Sequence, residues 1–284
     1  MLEVYGFGKL RLANQQMVVN HFPTRQVEEL LGFLLIQPKI RHPREKLITL
    51  LWPDIPSTSH GRHRFSIVLS RLRQLFGNLQ TPFEQHIFTT REWIELIPTQ
   101  QFFFDREQFV AACNRGFNEE GAQAKERYLQ TAVSLYRADF MEGVYAEWCL
   151  TEREYLARLR LRALGQLMHS CIQRHAFGEA IEYGVTILQD DPLREETHRA
   201  LMYCYQQQNR PDLAANQYFA CQALLENELQ TQPLPETTQL FTEIMGQRVQ
   251  HSLASESVSP AKKAATQQAY DDFLAAARRL AITL

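Results

Sequence analysis

No two cysteines lie close together in this sequence. The five, at 113, 149, 171, 204 and 221, are odd in number and widely spaced. That excludes a disulfide framework and a CxxC metal site and leaves reduced, mostly buried thiols. Long apolar runs are missing too: nothing approaches the ~18 consecutive apolar residues of a spanning helix. The opening MLEVYGFGKL lacks the basic flank, apolar stretch and cleavage site of a secretory leader. These absences predict a cytoplasmic chain with no membrane partner. Net charge is small, at −2, but 45% hydrophobic and 22% charged residues exclude a disordered or fibrous chain. At roughly 100 to 200 residues per domain, 284 residues predict two domains.

Signatures of chemistry are equally scarce. Gly6-Phe7-Gly8 lacks the third glycine and following helix of a dinucleotide site, and there is no phosphate-binding loop or nucleophile elbow. His60 and His63 are spaced i,i+3 without a third ligand, and His169, Cys171 and His175 lie on a helical run without metal spacing. The expectation is a protein without catalysis, metal or cofactor.

What is present is uneven charge. Residues 1 to 104 carry 12 Lys plus Arg against 8 Asp plus Glu, and the remainder carries 18 against 24. Between Lys39 and Arg73 lie eight cations (Lys39, Arg41, Arg44, Lys46, Arg62, Arg64, Arg71, Arg73) and two anions (Glu45, Asp54). Such a concentration is a candidate polyanion surface; its plain reading is a solvated face.

Residues 2 to 22 read as short strands broken by Gly6, Gly8 and the polar turn at 13 to 16. From Thr24, a plausible N-cap, Val27, Leu30, Leu31, Leu34 and Leu35 recur at helical spacing. A second, short helix follows Pro43 and stops at Trp52-Pro53. A third begins near residues 57 to 59 and runs to Phe76-Gly77. At ~100° per residue, Phe65, Val68, Leu69, Leu72, Leu75 and Phe76 share one arc and predict its core face. The opposite arc carries Arg62, His63, Arg64, Ser66, Ser70, Arg71, Arg73 and Gln74, with Ile67 as an apolar intruder. Two strand-like runs, 85 to 88 and 93 to 97, then predict a hairpin with Arg91 at its tip. Strands, three helices and a terminal hairpin describe a winged helix-turn-helix. Its basic helix is ~10 to 12 Å across and suits the major groove of duplex DNA.

LSRLRQLFG (69 to 77) after LLWPD (50 to 54) resembles the winged-helix domain of bacterial transcriptional activators of the antibiotic-regulatory-protein (SARP) type. The rest reads as almost wholly helical. Asp105 is the expected N-cap of the helix REQFVAACNR, and Trp148, Tyr155, Leu156 and Leu159 are expected core. Ala180 and Ala214 sit 34 positions apart in similar helical hairpins, the period of tetratricopeptide (TPR) repeats. The segments 135 to 156, 191 to 202 and 224 to 241 resemble the bacterial transcriptional activator domain that follows the winged helix in this family. The resemblance covers about residues 1 to 245.

The fold expected is therefore an α+β winged helix-turn-helix at 1 to 100 followed by an all-α, TPR-like domain at 101 to 248. Residues 249 to 284 are expected to form a linker and a last helix that packs on its own chain or on a second copy. The resemblance implies duplex DNA as partner, with the helical domain serving homodimer contacts, effector response, or contact with RNA polymerase or another regulator. The expected DNA-binding residues are Arg62, His63, Arg64, Ser66, Ile67, Ser70, Arg71, Arg73, Gln74 and Arg91. Family members place polar residues, often Arg and Gln, where Ser66 and Ile67 stand here; Ile67 offers only a methyl contact. The competing expectation is an effector-binding signalling protein whose winged helix no longer reads DNA: it acts through protein partners and takes a cyclic dinucleotide such as c-di-GMP through guanidinium forks of Arg62, Arg64, Arg158 and Arg162.

Overall fold

A computed structural model describes residues 1–54, 59–99, 102–254 and 268. Alternating apolar residues start the chain as strand β1 (Leu2–Tyr5), with Leu2 and Val4 buried. It pairs antiparallel with β2 (Arg11–Ala13), which pairs with the short β3 (Val18–Val19). The turn between β2 and β3 is held by Asn14, whose Oδ1 accepts from the N–H groups of Gln16 and Met17 at 2.9 and 2.8 Å.

Helix α1 (Arg25–Ile36) buries the expected apolar stripe. Thr24 is its N-cap residue, as the sequence predicts, but its side chain makes no cap hydrogen bond. The second strand–helix unit is β4 (His42–Pro43) and α2 (Arg44–Leu51). In α3 (Ser59–Asn78) the buried set contains all six residues of the predicted core arc, plus Gly61. The hairpin forms from β5 (Ile87–Thr89) and β6 (Trp93–Leu96), and β4 adds to its open edge. Among the described residues the N-terminal part is thus the three helices and two small sheets of a winged-helix-like fold.

One expectation is corrected next to the strand β7 (Phe102–Phe104). This strand pairs parallel with β1, so the residues just past position 100 belong to the N-terminal sheet. Asp105 is not the N-cap of α4 (Asp105–Asn118); Phe104 is, and Asp105 is the first helical residue. Its buried carboxylate reaches back about a hundred residues in sequence, accepting from Gly6 N–H at 2.7 Å and Phe7 N–H at 3.2 Å, as well as from Arg106 N–H at 2.7 Å.

Helix α5 (Ala122–Leu135) packs along α4, and the segment between it and α6 (Glu147–Gln173) fastens onto the N-terminal glycines. Gly8 N–H donates to Asp139 O at 2.8 Å, Met141 N–H to Gly6 O at 2.8 Å and Glu142 N–H to Gly8 O at 2.9 Å. At Gly6 a Cβ would stand 2.5 Å from the Phe140 ring, so only glycine fits this crossing. Arg153 donates to the carbonyls of Phe140, Met141 and Val144 at 3.0 to 3.2 Å and satisfies the turn from below. Of the four residues expected as core on α6, Leu156 is buried, whereas Trp148, Tyr155 and Leu159 are half-buried.

The chain divides into two compact units, Met1–Ala163 and Leu164–Leu284, with the division inside α6. The second unit holds α7 (Phe177–Asp190), α8 (Glu195–Gln207), α9 (Pro211–Leu229) and α10 (Pro235–Ala254). Phe177 and Pro211, the first residues of α7 and α9, stand 34 positions apart, and the matching Ala180 and Ala214 are fully buried. Tyr218 and Phe241 stack at 4.2 Å between α9 and α10. No helix among the described residues is long and apolar enough to cross a membrane. The expected linker and last helix lie outside the described residues, except that α10 continues to Ala254 and that Gln268 is helical.

Candidate nucleic-acid interface

Helix α3 is placed by its apolar stripe, which packs on α1 and α2 and leaves the other side to solvent. That side holds Arg62, His63, Arg64, Ser66, Ile67, Ser70, Arg71, Arg73 and Gln74, all exposed. No acidic residue occurs anywhere in α3. Ile67 is 39% exposed among these polar groups, as the helical phase requires.

The hairpin stands beside this face. Thr90 shapes its tip: the hydroxyl accepts from the N–H groups of Glu92 and Trp93 at 3.2 and 3.0 Å, which leaves Arg91 exposed at the turn. Across the hairpin strands, Phe88 stacks on Trp93 at 5.2 Å, and the Arg41 guanidinium lies 4.5 Å over Trp93 while pairing with Glu95 at 3.2 Å.

Two of the expected arginines are engaged within the domain. Arg62 pairs with Glu45 of α2 at 2.8 Å, with the arginine side chain still 68% exposed. Arg73 turns to the wing, donating to Thr89 Oγ1 at 3.0 Å, 3.8 Å from Glu84 and 5.0 Å from the Phe83 ring centroid. It braces α3 against the hairpin. Ser66 donates its hydroxyl to Arg62 O at 2.9 Å, inside its own helix.

Between α2, α3 and the hairpin lies a groove of about 470 Å³, lined by Arg44, Glu45, Arg62, Ser66, Arg91 and Glu92, among others. Arg44 is the residue that sequence reasoning counted in the basic stretch but did not assign to the site. Its Nε is buried without a hydrogen-bond partner among the described residues, and its guanidinium sits 6.0 Å from the Phe65 ring. Burial, then the like charge of Arg73, hold it below the ordinary arginine value. Arginine remains charged even so. A partly desolvated cation with a spare donor gains more from an arriving anion than a solvated one does, because the local dielectric is lower.

The residues of the competing expectation are more scattered. Arg158 and Arg162 are exposed on α6, with Arg162 packed 4.0 Å over the Phe117 ring. The groove lined by Arg62 includes neither of them, nor Arg64.

Residues 104–245, half of the chain, match the family described as the bacterial transcriptional activator domain. Among solved structures, the chain is similar to Mycobacterium tuberculosis EmbR, solved in complex with a low affinity phosphopeptide. The two share 18% identity with a TM-score of 0.71, over 97% of this chain and 70% of that one. The C-terminal TPR-containing domain of a Plasmodium falciparum FK506-binding protein is 10% identical with a TM-score of 0.39, over 52% of this chain and 93% of that one. No curated protein sequence matches. At 18% identity the likeness to EmbR establishes the fold alone: a mixed α/β N-terminal region followed by a helical-repeat region.

Proposed function

The chain belongs to the bacterial transcriptional activator domain family, and from that premise we propose that it is a DNA-binding transcriptional regulator whose winged-helix-like region grips duplex DNA. The observation that carries this reading is the acid-free outer side of α3 beside the Arg91 turn, with Arg44 held half-desolvated in the groove between them. In this reading Arg44, Arg62, Arg64, Arg71 and Arg91 contact phosphates and set register. Arg73 holds the wing in place. Sequence reading falls to Gln74, His63, Ser70 and the Ile67 methyl groups, a set with few bidentate donors, so discrimination among sequences is modest. The helical region supplies contacts to a regulator or polymerase.

Selection from a random duplex pool tests the reading. Wild type enriches a motif, and the Arg64→Ala, Arg71→Ala double variant recovers markedly less DNA than wild type. Equal recovery by wild type and beads would overturn the proposal.

A further inference from the structure

A second cavity of the first unit is lined by no residue of α3. It measures about 790 Å³, within the ~300 to 1,000 Å³ range of small-molecule sites. Four cations from separate elements converge on it: Lys9 in the loop before β2, Arg11 on β2, Arg25 at the start of α1, and Arg137 just after α5. His21 and the aromatic rings of Tyr5 and Phe22 complete much of the wall. Three acids also line it, and Arg25 is paired with Glu29 at 2.6 Å. The Asp105 carboxylate is taken up by three backbone N–H groups. Glu28 is pushed up by burial and by neighbouring Glu29, and Glu142 remains.

Two further observations concern fit for an anion. The Arg11 guanidinium is held 4.2 Å over the Tyr5 ring, which fixes its plane before any ligand arrives. The N-terminus of α1 opens at the same wall, and there Thr24 Oγ1 is buried without a hydrogen-bond partner among the described residues. A helix N-terminus, a spare hydroxyl and fixed guanidinium groups together suit phosphate oxygens.

We infer that this cavity is a binding site for a phosphorylated small molecule of nucleotide size. A lone phosphate would leave most of the volume empty, whereas a diphosphate with a ring system spans from the cations to the aromatic wall. The site is separate from the DNA-gripping face, and neither reading depends on the other.

Calorimetry of the full chain with pyrophosphate and with adenosine diphosphate tests it. Both bind saturably, and the nucleotide binds the tighter of the two. Lys9→Ala and Arg137→Ala, at exposed positions that leave the fold intact, each weaken binding at least tenfold. Arg127→Ala, on the exposed side of α5 and outside the cavity, leaves it unchanged. The inference is overturned if neither probe gives heat, if the two cavity variants bind as wild type does, or if Arg71→Ala on α3 removes the binding instead.

Discussion

Asp105 ties the start of the chain to its middle, and its consequences are measurable. Asp105→Ala strips the acceptor from the N–H groups of Gly6 and Phe7, at on the order of 1–3 kcal/mol for each orphaned group. Urea unfolding reads that loss directly. Its ionisation gives a second check. Burial raises the carboxyl above its ordinary value of 3.8, against the opposing pull of its backbone hydrogen bonds. A carboxyl with a raised folded pKa holds its proton more tightly in the folded state. Its contribution is therefore fully present below 3.8 and is lost as pH rises through the raised value. Relative to Asp105→Asn, the wild-type urea midpoint should climb as pH is lowered from neutral toward about 4; a falling difference would contradict the account. The thiols belong to the same scale. All five are buried, and burial pushes Cys113 up to about 12 and Cys149, Cys204 and Cys221 up to about 11. A thiol reagent should find none of them in the native protein at neutral pH and all five in urea.

At the level of elements, α3 shows what a sequence can carry. Its apolar and basic residues fall on opposite arcs because helical period alone sorts them, and the buried set follows that sorting. The hairpin and the 34-residue helical period were legible for the same local reason. β4 and β7 were not: two or three residues show no period, and each becomes a strand only by pairing with a partner far along the chain. Arg44 escaped assignment because its isolation in the groove depends on α3 and the wing closing around it. The Arg62–Glu45 pair has a functional corollary. Both side chains are largely exposed, so the pair adds little to stability, but Glu45 competes with a phosphate for Arg62. Glu45→Gln should leave the melting temperature nearly unchanged and tighten DNA binding several-fold in a low-salt anisotropy titration. In the helical repeat, Phe241→Ala removes a ring stacked on Tyr218 and should cost about 3–5 kcal/mol in urea.

For the whole molecule, the account rests on charge that faces outward from one helix and one turn of the N-terminal region. The 142-residue span from 104 to 245 names the family, while the residues proposed to touch DNA all lie before it. The most direct measurement is the affinity for duplex DNA between about 50 and 200 mM salt. About five phosphate contacts, from Arg44, Arg62, Arg64, Arg71 and Arg91, release enough counterions for a log–log slope near −4.5. Arg64→Ala should reduce that slope by about one unit. A slope near zero, or one unaltered by losing Arg64 and Arg71 together, would contradict the account.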